Sequence, residues 1–157
     1  MRSTTFPGIV LSLTVLTACG PRAGSSARPD LSDFARRYAA AWSSQNPDSL
    51  ASFYDEYGSL IVNGGTPSVG RADIRAVAQE YMTALPDMRV VMDSVTGHDN
   101  HAVFYWTLTG TNTGPGGTGA AVHLHGYEEW TLDPDGLIIE SLGHYDAAEY
   151  QRQLSGG

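Results

Sequence analysis

The chain contains no lysine. All nine of its cationic side chains are arginines, which excludes Schiff-base chemistry through a lysine amine. Cysteine is nearly absent too. Cys19 stands alone, so there is no intramolecular disulfide, no cysteine-based zinc site and no catalytic thiol within the fold. Positive charge is scarce: seventeen Asp and Glu leave a formal net charge of −8. Nucleic acid is a poor partner for such a chain, because phosphate neutralisation needs a basic face. Long apolar runs are missing as well. The longest, Ile9 to Thr17, is too short to cross a bilayer as a permanent helix.

That run follows the positive start Met1-Arg2 and fits the apolar core of a signal peptide. It ends in Leu16-Thr17-Ala18-Cys19, which resembles a bacterial lipobox. The resemblance implies cleavage before Cys19 and lipidation of that cysteine; the alternative is an ordinary secretory signal with a chance cysteine. Gly20 to Pro29 has no apolar periodicity and reads as a flexible tether. The expected organisation is a signal peptide over 1–18, a lipidated cysteine and tether over 19–30, and one domain over 31–157. An acylated chain is anchored to a membrane rather than spanning it, here on the extracytoplasmic side of the cell envelope.

What remains has room for a single core of about 120–130 residues. Asp30 to Asp33 offers cap residues. Leu31, Phe34, Tyr38, Ala41 and Trp42 then recur at helical spacing, up to Asn46-Pro47. A second short helical turn is predicted over 48–54. Ser59 to Val62 reads as a short strand. Gly70-Arg71 leads into a third helix, carried by Ile74, Val77, Ala78, Tyr81, Met82 and Leu85, and Pro86-Asp87 stops it. Met88 to Val95 alternates as a strand.

The stretch from His101 to Asp146 organises the rest. Three runs rich in β-branched and aromatic residues are separated by Gly/Pro/Asp punctuation at 114–119 and 133–136, the pattern of an antiparallel meander. Four of the five histidines and two of the three tryptophans fall in it, so this sheet is expected to carry whatever chemistry the protein performs. Ala147 to Leu154 reads as a short terminal helix. Helices grouped ahead of a sheet indicate an α+β fold.

Several segments resemble one family in the same order. Trp42 followed by Asn46-Pro47-Asp48-Ser49-Leu50 resembles the joint between the first two helices of the nuclear transport factor 2-like superfamily. Gly70-Arg71, then Leu85-Pro86-Asp87-Met88, resembles a segment of the SnoaL-like polyketide cyclases. Trp106 to Gly114, the strand pair around Gly126 and Asp135-Gly136, and the closing Asp146 with Gln153-Leu154 are similar to that family too. The resemblance implies a cone-shaped α+β barrel, three N-terminal helices closing a bent antiparallel sheet over a conical cavity. It also implies cofactor-free acid/base chemistry on a small molecule. Two polar positions differ. Gly143 stands where the family's last strand often carries an aspartate, and Asn112 stands where it carries a histidine. Asp146 matches a second aspartate, either catalytic or a cap for the terminal helix.

His123 and His125 lie two apart on one strand, so they share a face with Tyr127 and Glu129, while Val122, Leu124 and Trp130 point to the other. Either the polar face lines the cavity, with an imidazole as general base, or it is the outer, wet face of the sheet, which alternation alone favours. A metal at His-x-His would need a third ligand from Glu129, His144 or Asp146, and nothing in the spacing selects one, so no metal and no cofactor are expected.

The catalytic pair expected here is His125 and Asp146. The expected ligand-binding residues are Trp42, Tyr54, Tyr81, Trp106, His123, Tyr127 and Trp130. The expected function is binding of a small, largely apolar molecule with cyclase- or isomerase-like proton transfer. The rival is a non-catalytic ligand-binding or dimerisation module of the cell envelope. A homodimer through the open sheet face and no contact with nucleic acid complete the expectations.

Overall fold

The computed structural model describes residues 30–155. Cys19 and the rest of the expected signal peptide and tether lie outside the described residues, apart from Asp30. The element order is α1 (Leu31–Ser43), α2 (Pro47–Ala51), β1 (Tyr54–Val62), β2 (Ser68–Val69), α3 (Arg71–Ala84), β3 (Arg89–His98), β4 (His101–Thr111), β5 (Ala121–Leu132), β6 (Ile138–Tyr145) and α4 (Ala147–Leu154). One six-stranded sheet runs in the order β2-β1-β6-β5-β4-β3. Its helices pack on the concave side.

The α+β expectation holds, with two corrections. The sheet is mixed, because β1 runs parallel to β6 while every other pair is antiparallel. The helix expected over 48–54 stops at Ala51, and Tyr54 already opens a nine-residue strand. Tyr54 pairs with Ile138 of β6, so tertiary pairing overrides the helical spacing that Tyr54 shares with Leu50.

Local chemistry accounts for the helix starts. Asp30 caps α1 through its side chain on the Asp33 amide, Asn46 caps α2 ahead of Pro47, and Asp146 caps α4 by accepting from the Glu149 amide at 2.9 Å. Asp87 ties the end of α3 to the end of β4, accepting from the amide and hydroxyl of Thr111 at 2.6 and 2.8 Å. Those bonds hold its carboxyl below the usual range. Asn112 is engaged in the same way with the Ala84 carbonyl and the Thr118 amide.

The core lies between α1 and the concave face. Tyr38 and Phe104 are fully buried, and Phe104 stacks on Trp130 at 4.9 Å. Each such side chain contributes roughly 1.5–3 kcal/mol by leaving water. Strand alternation then decides the site: Val122, Leu124, Glu128 and Trp130 of β5 are buried, and His123, His125, Tyr127 and Glu129 are not.

Candidate active site

An apolar cavity of about 60 Å³ sits between the helices and the concave face. Aromatic walls come from five elements: Trp42 of α1, Tyr81 of α3, Trp106 of β4, Tyr145 of β6 and Tyr150 of α4. Leucines and valines fill the gaps. One carboxylate, Glu128 of β5, reaches this wall.

Glu128 is 6% exposed. Tyr38 Oη, Trp130 Nε1 and Ser141 Oγ all donate to its Oε2, at 2.8, 2.9 and 2.7 Å. Among the described residues no hydrogen bond goes to Oε1. The side chain is thereby pinned through one oxygen while the other remains available. Burial pushes its carboxyl above the usual range, and the bonds from Trp130, Ser141 and Tyr38 pull against that shift. Behind it, Tyr38 and Tyr54 share a hydrogen bond of 2.8 Å. Burial, and then the Glu128 charge, raise both phenols well above their ordinary value, so both stay neutral: Tyr38 donates its one O–H to Glu128 and accepts from Tyr54.

A second hydroxyl pair lies across the cavity. Tyr81 Oη and Tyr145 Oη are 3.0 Å apart. Two hydroxyls share one proton in that bond, which leaves one O–H able to donate elsewhere.

The expected site residues divide between the two faces. Trp42, Tyr81 and Trp106 line the cavity. Tyr54 and Trp130 are buried beside it as partners in the Glu128 network. His123, His125 and Tyr127 lie on the outer face. There His125 Nδ1 is 2.8 Å from Thr107 Oγ1, which donates to Asp93. Tyr127 stacks on His144 at 4.6 Å, and His144 Nε2 is 3.4 Å from Glu129. Asp146 caps α4, and no hydrogen bond or ion pair joins it to His125 among the described residues. Nor do three His, Cys, Asp or Glu side chains gather there in a way that could hold a metal.

Sequence reasoning passed over Glu128. The signal was available: it is the one charged residue in the register of Val122, Leu124 and Trp130 on β5. A carboxylate interrupting a core-facing run needs buried donors, and Tyr38 and Ser141, from distant segments, supply them.

A helix-capped, bent sheet closing on a conical cavity is the architecture of the nuclear transport factor 2 and ketosteroid isomerase-like proteins. Within it, this chain belongs to the SnoaL-like domain family, whose profile matches residues 35–141. No curated protein sequence matches the chain. Among solved structures it is similar to a candidate SnoaL-like polyketide cyclase from Jannaschia sp. CCS1, with 22% identity, a TM-score of 0.71, and 81% of this chain and 92% of that one covered. It is also similar to a ketosteroid isomerase-like protein from Catenulispora acidiphila in complex with trimethylamine, with 15% identity, a TM-score of 0.70, and 78% and 92% covered. A candidate polyketide cyclase from Xanthomonas campestris aligns at 21% identity and a TM-score of 0.67 over 81% and 98% of the two chains. At these identities the likeness establishes the fold.

Proposed function

We propose that this domain binds a small, largely apolar molecule in its conical cavity and moves a proton on it with Glu128, without a cofactor. The observation that carries this reading is a single buried carboxylate, raised by burial and pinned through Oε2, on the wall of an otherwise apolar aromatic cavity. A carboxyl shifted upward is a stronger base when ionised and sits closer to working pH, which is what general acid/base catalysis needs.

On a carbonyl substrate the step is as follows. Glu128 Oε1 takes a proton from the carbon beside the carbonyl. The C–H electron pair forms the enolate double bond, and the carbonyl π pair moves onto oxygen. Where a C=C adjoins that carbon, the electron pair is shared along a dienolate, and return of the proton from Glu128 to its far carbon gives an isomer. Where the substrate carries a second carbonyl, attack of the enolate carbon on it closes a ring, its π pair moves onto oxygen, and that alkoxide takes the proton back from Glu128.

Deuterium exchange tests this directly. In D2O the protein is expected to catalyse hydrogen exchange at the carbons next to the carbonyl of cyclohexanone, read by NMR, and Glu128→Gln is expected to lower the rate about 10²–10⁴-fold. An equal rate with Glu128→Gln would end the catalytic reading and leave a ligand-binding module.

The chain is further proposed to act outside the cytoplasm, held to a membrane through lipid on Cys19. The support is the run Leu16-Thr17-Ala18-Cys19 after a short apolar segment. Wild-type chain is expected in the membrane fraction and labelled by radioactive palmitate, and Cys19→Ser unlabelled. A labelled Cys19→Ser chain would refute the anchor. Self-association through the outer sheet face is proposed on the exposure of Val91, Tyr105 and Tyr127 there. Light scattering is expected to give a dimer that Tyr105→Glu dissociates, and a monomer at high concentration would count against it.

A further inference from the structure

The three tryptophans all lie in or beside the site, and their N–H groups are treated differently. Trp130 donates to Glu128. The Trp106 Nε1–H is buried and has no acceptor among the described residues. Trp106 itself is 8% exposed and forms part of the cavity wall with Glu128. Leaving a buried donor unpaired is destabilising, and native structures rarely do so without a reason.

The indole is seated deliberately. Trp106 faces Gly126 across the β4–β5 ladder. Any Cβ at 126 would collide with the Cζ2 and Cη2 atoms of the indole. A glycine is therefore required for the ring to lie against β5. Phenylalanine would fill the same apolar wall without leaving a donor unpaired, so packing alone does not account for an indole here.

We propose that Trp106 Nε1–H is the donor that receives the ligand, and that the ligand accordingly presents a carbonyl oxygen to it beside Glu128. This deepens the reading of Glu128 as a proton-transfer group and rests on it. An N–H held against the carbonyl oxygen strengthens as charge develops there, since a donor in a dry cavity needs no reorganisation. The cavity size restricts what sits at this point. About 60 Å³ holds only the reacting head of a ligand. A neighbouring groove of about 400 Å³ shares Leu60, Val62, Tyr81 and Tyr150 with the cavity as a common wall and offers room for the remainder.

Two probes of the same shape test the assignment: cyclohexanone, and methylenecyclohexane, in which =CH2 replaces the carbonyl oxygen. Each is titrated into the full chain while the three indole N–H signals are followed by NMR, assigned by single Trp→Phe substitutions. The ketone is expected to bind about tenfold more tightly than the alkene, the size of one neutral hydrogen bond, and to shift the Trp106 N–H signal downfield. Trp106→Phe is expected to erase that preference, bringing the ketone-to-alkene affinity ratio to about one. Equal binding of both probes to the wild-type chain, or a ketone preference that survives Trp106→Phe, overturns the assignment while leaving the cavity reading intact. Binding of neither probe overturns both. The wild-type comparison stands even if the variant fails to fold.

Discussion

Glu128 and Gly143 face each other across the β5–β6 ladder, and a Cβ built on Gly143 would lie 3.7 Å from Glu128 Cγ. The position at which the family resemblance implies an acid is thus a glycine, and a carboxylate stands one strand away in the same space. Gly143 leaves that space open, and 3.7 Å is an ordinary contact distance. The two positions are expected to be interchangeable. Glu128→Gln should lower exchange activity about 10²–10⁴-fold, the usual worth of a positioned general base. Adding Gly143→Asp to that variant should recover part of the loss. Exchange rates of the single and double variants check this, and no recovery would place the chemistry at Glu128 alone.

Stability should carry the mark of the buried carboxyl. Its folded value is raised, so between the unfolded and folded values the folded protein binds more protons than the unfolded chain. The contribution is therefore most favourable below the unfolded value and is lost as pH rises through the folded one. Asp87 and Glu149 are shifted the other way, Glu149 to about 2 by its bonds with Arg152, and their contributions are lost as pH falls. The difference between wild type and Glu128→Gln isolates the first effect. Urea unfolding across pH 4 to 8 is expected to show wild type losing stability relative to the variant as pH rises.

Tyr38→Phe removes one hydroxyl with two partners, since Tyr38 Oη contacts both Glu128 and Tyr54 at 2.8 Å. Destabilisation of about 1–3 kcal/mol is expected, because both partners are left short of a bond in the core. The pH dependence of activity should also move upward, since one of the bonds that lowers the Glu128 value is gone. An unchanged pH profile would show that Tyr38 is only a packing residue.

Gly126→Ala brings a methyl group against the Trp106 ring and the His144 carbonyl. Overpacking of this kind costs about 1–3 kcal/mol. Ketone binding should weaken with it as the indole leaves its seat. Thermal unfolding and the cyclohexanone titration measure the two effects separately.

His125→Ala and Asp146→Ala compare the two faces of the sheet. The first is expected to leave exchange activity unchanged and stability within about 0.5 kcal/mol, as for most exposed substitutions. The second should cost about 1 kcal/mol through the lost cap of α4. Loss of activity in His125→Ala, with the fold intact, would move the chemistry to the outer face.

Much of the architecture was legible in the residues. The periodicities over 31–42 and 74–85, the cap at Asp146 and the punctuation around 133–136 are local signals, and local signals survive into the fold. β1 was half hidden, because its partner β6 lies about eighty residues away and pairing, not propensity, makes it a strand. The aromatics Trp42, Tyr81 and Trp106 could be nominated for the cavity because large side chains on core-facing positions must meet in space. The buried carboxylate of the cavity could not be read this way. Histidines draw notice by type, whereas Glu128 is one of two adjacent glutamates told apart only by the face each occupies.

The sequence by itself determined the three long helices and strands β3 to β6, and the absence of lysine and cysteine chemistry from the domain, all of which follow from composition and short-range spacing. The family was legible through the resemblance of its motifs in order. Only the tertiary structure decided what a carboxylate on the inner face of β5 would meet. Alternation puts Glu128 with Val122, Leu124 and Trp130 and puts Glu129 with the histidines, which favours Glu128 inside but names no partner for it. The partners arrive when α1 brings Tyr38, and β6 brings Ser141, to that side of the sheet. A carboxylate can be buried only where such donors are waiting, and so Glu128 went in and His125 stayed out.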